Sequence, residues 1–343
     1  MSSAQSVASF KAGCVLVTGG AGYIGSHTVK QLKAVGIHVV VLDNLVHGHR
    51  QAVLSLNVPL VEGDLGDETL LASLFSSHPI DTVIHFAAYA YVGESVDEPL
   101  RYYRNNTAAP LVLLDAMRRH ECRAFIFSST CATYGDPVAL PITEEHPQNP
   151  INPYGRSKLM LEQILRDCEP AWGLRSVCLR YFNACGCSID GSLGEDHDPE
   201  THLIPRVLMA ARGEIEAVTV FGTDYPTPDG TCIRDYIHVE DLARAHILAL
   251  DYLTRGGAST ACNLGAGSGV SVRSILEIAE NVTGRPVPVR YGPRRPGDPP
   301  ELVADPSRAR ELLGWQAEHP GVSSAVESAW RWMTGPRQGR YRA

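Results

Sequence analysis

Cys14-Val-Leu-Val-Thr-Gly-Gly-Ala-Gly-Tyr-Ile-Gly25 is the stretch that decides the fold. Cys14–Thr18 is short and apolar enough to be a buried strand. Glycines follow at 19, 22 and 25, and a helical pattern runs over Gly25–Val35. A strand, a glycine turn and a helix in that order form a phosphate cradle. Gly19 allows the tight turn, Gly22 lets a pyrophosphate approach bare backbone, and Gly25 lets helix pack on strand. The helix start offers free N–H groups and a positive dipole end. Asp43 lies 18 residues beyond Gly25, at the end of the next apolar run, Val39–Leu42. A carboxylate there accepts hydrogen bonds from an adenosine ribose and repels a 2′-phosphate, which favours NAD over NADP.

Outward from this unit, strand and helix alternate. Further strands are expected at Leu60-Val61, Thr82–Phe86, Ala124–Ser128 and Ser176–Arg180. Helices are expected at Thr69–Ser76, Leu100–Arg119 and Tyr154–Cys168. Continuously apolar strands imply a parallel sheet covered on both faces. The fold class is therefore α/β, a Rossmann-type doubly wound parallel sheet, with a smaller α/β substrate domain behind it. Residues 1–12 read as a flexible extension, 13–182 as the dinucleotide domain and 183–343 as the second domain, with segments near 235–265 able to pack back on the first. Beyond Asn183 the loops lengthen and fill with Gly, Pro and Asp. Between them lie Leu203–Arg212, Val218–Phe221, Val239–Tyr252, Val272–Thr283, Pro306–Leu313 and Val322–Met333.

The composition agrees. The 343 residues are 44% hydrophobic and 20% charged, which argues against disorder. A net charge of −8 argues against a general nucleic-acid partner. No apolar run is long enough to cross a membrane, and Met1–Gly13 has no signal-peptide pattern. Nine scattered cysteines without a CxxC pair suit reduced thiols in the cytoplasm, and no metal site is assigned.

Tyr154-Gly-Arg-Ser-Lys158 puts a phenol and an ammonium at i and i+4 on one helix face. Asn152-Pro153 supplies the N-cap and first-turn proline, so the helix begins at Tyr154. A tyrosine with a pKa of about 10 is a poor base at neutral pH. A neighbouring ammonium and a positively charged nicotinamide would lower it. Ser128-Ser129-Thr130 ends the fifth strand, on the edge where such sheets bind ligands. Asp64, ending the third strand, either caps the next helix or meets an adenine amino group. Phe86-Ala87-Ala88 ends the fourth with small residues beside the cofactor.

Hydroxyl, phenol and ammonium behind this glycine pattern resemble the extended short-chain dehydrogenase/reductase superfamily. Val17–His27, Val92–Val96, Asn152–Lys158, Leu179–Asn183, Asp229–Val239 and Asn263–Gly267 narrow the resemblance to the UDP-glucose 4-epimerases, from about Cys14 to about Trp332. The resemblance implies a firmly held NAD and a UDP-sugar substrate. Tyr154 would take the proton of the sugar's 4-hydroxyl while hydride leaves C4, and the 4-keto sugar would turn over before hydride returns. Lys158 would hold the nicotinamide ribose and Thr130 would relay the proton. The cofactor would lie along Gly19, Gly22, Tyr23, Ile24, Gly25, Asp43, Asn44, Asp64, Leu65, Phe86, Ala87, Ala88, Asn105, Ser128, Tyr154, Lys158 and Tyr181. A diphosphate needs cations, and Arg234 and Arg295 are the candidates. Asn183, Leu203, Phe221, Tyr236 and Asp298, together with Thr130, would line the UDP-sugar site. Leu302 falls on the family's gate beside the sugar C2 substituent.

Departures from the family pattern are Ala90 where some members carry lysine, Ala184-Cys185 after Asn183, and His202 before Leu203. Leu302 is neither tyrosine nor cysteine, so N-acetylhexosamine and pentose UDP-sugars remain alternatives. A nucleotide-sugar 4,6-dehydratase would need an acid and a base directly after Thr130, where this chain has Cys131 and Ala132. Asp43 speaks against an NADPH-linked reductase, and the retained Tyr154 and Lys158 speak against a non-catalytic binding protein. Helices Leu100–Arg119 and Tyr154–Cys168 are candidates to pair with their twins in a homodimer.

Overall fold

The computed structural model describes residues 13–295 and 297–341. The extension expected over 1–12 lies outside them. The first half contains strands β1 (Cys14–Thr18), β2 (His38–Asp43), β3 (Leu60–Glu62), β4 (Ile80–His85), β5 (Ala124–Thr130) and β6 (Arg175–Tyr181). Its helices are α1 (Tyr23–Ala34), α2 (Arg50–Leu54), α3 (Glu68–Ser77), α4 (Val92–Asp97), α5 (Pro99–Tyr103), α6 (Ala109–Arg119) and α7 (Pro153–Trp172). The second half has β7 (Asn183–Cys185), α8 (Leu203–Arg212), β8 (Val218–Phe221), β9 (Ile233–His238), α9 (Val239–Thr254), β10 (Thr260–Leu264), β11 (Gly269–Ser271), α10 (Val272–Thr283), β12 (Val289–Gly292), β13 (Glu301–Leu302), α11 (Ser307–Leu313) and α12 (Val322–Thr334).

The expected doubly wound sheet is present. Seven parallel strands run in the order β10-β6-β5-β4-β1-β2-β3. Alternate residues of each strand feed opposite cores. Val15, Val17, Val39 and Val41 pack toward α1, α9 and α11, whereas Leu16, Val40, Phe125 and Phe127 pack toward α3, α6 and α7. Burial on both faces is why these strands read as continuous apolar runs. The seventh strand, β10, and the helix α9 come from beyond residue 235 yet complete this layer. The remaining segments build a separate core among α8, α10, α12 and β8. Beside it, β9 pairs with β7, β11 and β13.

Two expectations need correction. The single helix expected over Leu100–Arg119 is α5, a π-turn at Arg104–Ala108, and α6. Pro110 explains the break. It has no N–H to give the preceding turn, and its ring pushes away the carbonyl four residues back. Asp64 does not cap the next helix. Asp67 does, accepting from Leu70 N at 2.9 Å. The short strands β7, β9, β11, β12 and β13 escaped the sequence reading because two to six residues, several of them polar, carry no periodic signal.

Under the carboxyl end of the sheet lies a buried ion pair. Glu162 on α7 accepts from Arg180 of β6 at 3.0 and 2.6 Å, from Ser129 Oγ at 2.5 Å and from Gln148 at 3.0 Å. Arg180 also donates to Tyr134 Oη at 3.0 Å. Both ionic side chains are almost fully buried. Such a pair holds because every charged atom is matched. Arg180→Met would leave Glu162 buried without its cation. The expected loss is about 3–5 kcal/mol in urea unfolding, whereas breaking a surface pair such as Arg119–Glu68 should barely move the midpoint.

Candidate active site

The glycine turn is tight where the sequence said it must be. Gly19 has φ +71°, and a Cβ there would stand 2.5 Å from Ala87 N. At Gly25 a Cβ would lie 2.2 Å from Gly19 O. A Cβ at Gly22 would meet protein only at Gly19 O, 3.3 Å away, so that face of the loop is free for a ligand. Helix α1 begins at Tyr23, with Gly22 as a cap that offers no side chain and with no acidic residue in the first turn. Its first amides are thus left for an anion. Asp43 is almost buried and already accepts from Ala21 N at 2.9 Å and Leu45 N at 2.8 Å. Burial raises its pKa, and those two amides oppose the rise. It thereby clamps the glycine loop and still has lone pairs to offer a ribose. Asn44 donates to Asp64 at 3.2 Å, joining two residues expected at the cofactor. These groups fit a dinucleotide.

The Tyr23 side chain goes elsewhere. Its hydroxyl donates to Gly186 O and its ring packs against His27 and His197, so only its backbone can serve a phosphate. Leu65 lies in the core. Asn105 sits in the π-turn and donates to Asn106. It is the buried Asn106 that holds the end of the fourth strand's loop, bonding Tyr89 N and O at 2.9 Å each and Ser157 Oγ at 3.1 Å. The sequence reading missed Asn106. The π-turn that aims it lies just before Pro110, which has no N–H to continue the regular ladder.

Asn152 caps α7 as expected, accepting from Gly155 N at 2.8 Å. The helix starts at Pro153 and runs through Pro170 to Trp172, past the expected Cys168, with Gly173 as its C-cap. Lys158 Nζ sits 6.0 Å from the Tyr154 ring, 4.9 Å from the Phe127 ring, and donates to Ser128 O at 2.9 Å. Burial lowers its pKa to about 7, with Glu162 opposing. Burial also raises Tyr154 well above its ordinary value, Tyr181 adds to the rise, and the hydrogen bond with Thr130 pulls back. Desolvation therefore sets the direction, opposite to the lowering expected from Lys158. Ser128 Oγ and Tyr181 Oη share a hydrogen bond of 2.7 Å. His85 meets Thr18 at 2.7 Å, and burial drops its pKa to about 3, so it adds no charge beside the lysine.

Across the cleft, Arg234 pairs with Asp298 at 2.7 Å and not with the adjacent Asp235. Asp235 is fully buried and accepts from Ala266, Gly267 and Ala304 amides at 2.7, 3.1 and 3.1 Å, which binds β9 to two loops. Asn183 donates to Asp235 O at 2.9 Å. The exposed Arg295 guanidinium stacks 4.4 Å over the Phe221 ring. Leu302 lies opposite Arg234 in the β9–β13 ladder and packs, with Cys131, on Tyr134, Ile142, Phe182 and Ala304. Tyr236 and Leu203 pack against the second core, Leu203 as the first residue of α8.

Residues 15–265 match the NAD dependent epimerase/dehydratase family. The chain belongs to that family. A UDP-glucose 4-epimerase of Halalkalibacterium halodurans is 52% identical over 318 residues, 93% of this chain and 95% of that protein. The crystal structure of the Brucella ovis UDP-glucose 4-epimerase in complex with NAD superposes with a TM-score of 0.91 at 54% identity, covering 93% of this chain and 98% of that one. A Bifidobacterium longum UDP-glucose 4-epimerase in complex with NAD+ and UDP gives 0.90 at 42% identity, covering 95% of this chain and all of that one, 100%.

The depressed Lys158 makes a prediction with a defined sign. An unfolded lysine titrates near its model value of 10.5 and the folded one near 7, so between those values the unfolded chain binds more protons. Stability of NAD-depleted protein should thus rise with pH through this window, and the penalty should be fully present below it. Lys158→Met should remove that rise and stabilise the protein at pH 6, as read from urea midpoints across a pH series.

Proposed function

We infer that this chain is a UDP-glucose 4-epimerase, interconverting UDP-glucose and UDP-galactose with a resident NAD. The observation that carries the reading is the joint placement of Thr130, Tyr154 and Lys158 at the carboxyl ends of β5 and the start of α7, beside an uncapped glycine-loop helix. The comparisons support it, since relatives at about half identity over nearly the whole chain carry that activity in their names. Bound NAD supplies the hydride acceptor, and then donor, for sugar C4.

The protein's own residues do the rest. Tyr154 takes the proton from the 4-hydroxyl and later returns it, with Thr130 bridging phenol and sugar. The phenol's raised pKa means that it needs added positive charge to act near neutral pH. Lys158, anchored by Ser128 O, is aimed to supply part of that charge and to hold a ribose hydroxyl. Asn44, Asp64, Phe86, Ala87, Ala88 and Tyr181 complete the cofactor's bed. Arg234 and Arg295 hold the diphosphate, and Asp298 and Phe221 aim their guanidinium planes. Asn183, Leu203 and Tyr236 border the nucleotide. Anchoring at UDP, remote from C4, leaves the sugar loose enough to turn.

Three further parts belong to the same proposal. Residues 13–182 chiefly serve the cofactor and 183–343 the UDP-sugar, with α9 and β10 lent to the first sheet. A homodimer forms through α4 to α7, where Val92, Val96, Leu100, Leu111 and Met160 are exposed. The setting is cytoplasmic, in keeping with nine free thiols. No helix among the described residues is long and apolar enough to cross a membrane.

Purified protein should convert UDP-galactose to UDP-glucose without added cofactor, and denaturation should release NAD and not NADP. Tyr154→Phe should lower turnover by roughly two to four powers of ten while NAD is retained. Near-normal turnover in that variant would reject the assignment of Tyr154. Leu302 sets substrate range: Leu302→Cys should raise UDP-N-acetylgalactosamine turnover relative to UDP-galactose, and Leu302→Tyr should lower it. The bias should be about 1–3 kcal/mol, as expected for shape discrimination by a few methylenes. Parallel assay of both sugars on the three proteins measures it.

A further inference from the structure

Glu195-x-His197-x-x-Glu200-x-His202 passes unnoticed in the sequence because its spacing matches no common zinc motif. In the structure the four side chains converge, each offering one ligand atom within 4.8 Å of the other three. His202 Nδ1 stands 2.5 Å from Glu195 Oε1, and His197 Nδ1 stands 3.1 Å from the same oxygen. Glu200 brings its two oxygens to 3.6 Å from His197 Nδ1 and 3.5 Å from His202 Nδ1. A tetrahedral ion with bonds of about 2.1 Å sets its ligand atoms about 3.4 Å apart. The observed spacings straddle that value.

We propose that Glu195, His197, Glu200 and His202 bind one divalent transition-metal ion of the zinc class in a closed, structural site. The donor set is two imidazole nitrogens and two carboxylate oxygens, which suits zinc and its first-row neighbours. Two carboxylates neutralise a dication with both imidazoles in their neutral form. His197 Nδ1 is buried and faces the cluster, with the Glu195 and Glu200 carboxylates as its polar neighbours at 3.1 and 3.6 Å. A cavity of about 40 Å³ borders Glu195, His197 and Glu200, with Arg212 and Arg340 also in its wall and His202 outside it, so a water beside the cluster has room there. The route in passes His202, whose side chain is 48% exposed while Glu195 is only 4% exposed.

The position gives the ion a task. His202 is the residue before α8 and makes no side-chain cap there. Tyr23 of the glycine-loop helix and Tyr91 set their rings edge-on to His197, at 6.2 and 6.3 Å between centroids. An ion at this point fastens the long loop before α8 to the start of that helix, and so positions Leu203. It takes no part in hydride or proton transfer. A second group, His238, Glu240 and His319, is a poorer site. Both ring nitrogens of His238 are already engaged, one with Glu240 N and the other with Ser328 Oγ.

The test uses the full chain with its nucleotide, stripped of metal by a chelator and titrated with Co(II) and then Zn(II). Expected are about one ion per chain, the intense visible absorption of tetrahedral Co(II), its loss on adding Zn(II), and a rise in thermal midpoint with metal. Glu195→Gln removes a buried ligand. His202→Gln changes a half-exposed one and so keeps the fold testable. Each should weaken Co(II) binding at least about tenfold, whereas His319→Gln should bind as the parent does. The proposal is overturned if the parent binds Co(II) no better than millimolar, or if His202→Gln binds as tightly as the parent. Either result would leave the cluster as two imidazolium–carboxylate pairs.

Discussion

A lysine amine buried at the carboxyl edge of a parallel sheet is the constraint on which the site depends. Lys158 leaves water at a cost that burial alone would make prohibitive for a fixed charge. One carbonyl, Ser128 O, and the face of Phe127 receive it. Its pKa near 7 records how incomplete that compensation is. The surroundings are arranged accordingly. His85 is kept neutral, and Glu162 one turn along α7 supplies the nearby negative charge. Arg180 and Ser129 in turn hold Glu162. Charge thus alternates outward from the lysine, through the carboxylate to the arginine, and each layer is satisfied by the next.

Two other buried carboxylates do comparable structural work. Asp43 ties the glycine loop to the end of β2 through two backbone amides. Asp235 ties β9 to the segments before β11 and after β13 through three. Burial wins over those three amides and pushes Asp235 up to about 6. Placing carboxylates where backbone amides converge fixes loops without long side chains, and loops so fixed can present Arg234 and the glycine turn at constant positions.

The pairing of Arg234 with Asp298, and the stacking of Arg295 on Phe221, share a logic. A guanidinium with no partner would be free to collapse onto its own chain. Here the plane is already set, so the anion proposed for these two arginines would need less ordering to bind. Tyr154 shows the opposite condition. Its site withholds water and raises its pKa, so the base proposed at Tyr154 would draw its basicity from charge brought in with the cofactor as well as from Lys158.

The sequence by itself determined the doubly wound layer. Strand-forming runs buried on both faces, glycines at 19, 22 and 25, and the i, i+4 spacing of Tyr154 and Lys158 are local signals, each legible within a dozen residues. The tight glycine turn and the placement of Tyr154 beside Lys158 were readable for the same reason. Tertiary structure decided the rest, because its causes act over long separations in sequence. Only packing could bring β10 to the edge of the first sheet or give Arg234 a partner 64 residues away. Only the π-turn could set Asn106, and not its neighbour, on the loop at Tyr89. Only the folded loop before α8 could draw Glu195, His197, Glu200 and His202 to one point. Alternating side chains in a loop carry no periodicity, and their directions are set by the backbone they happen to follow.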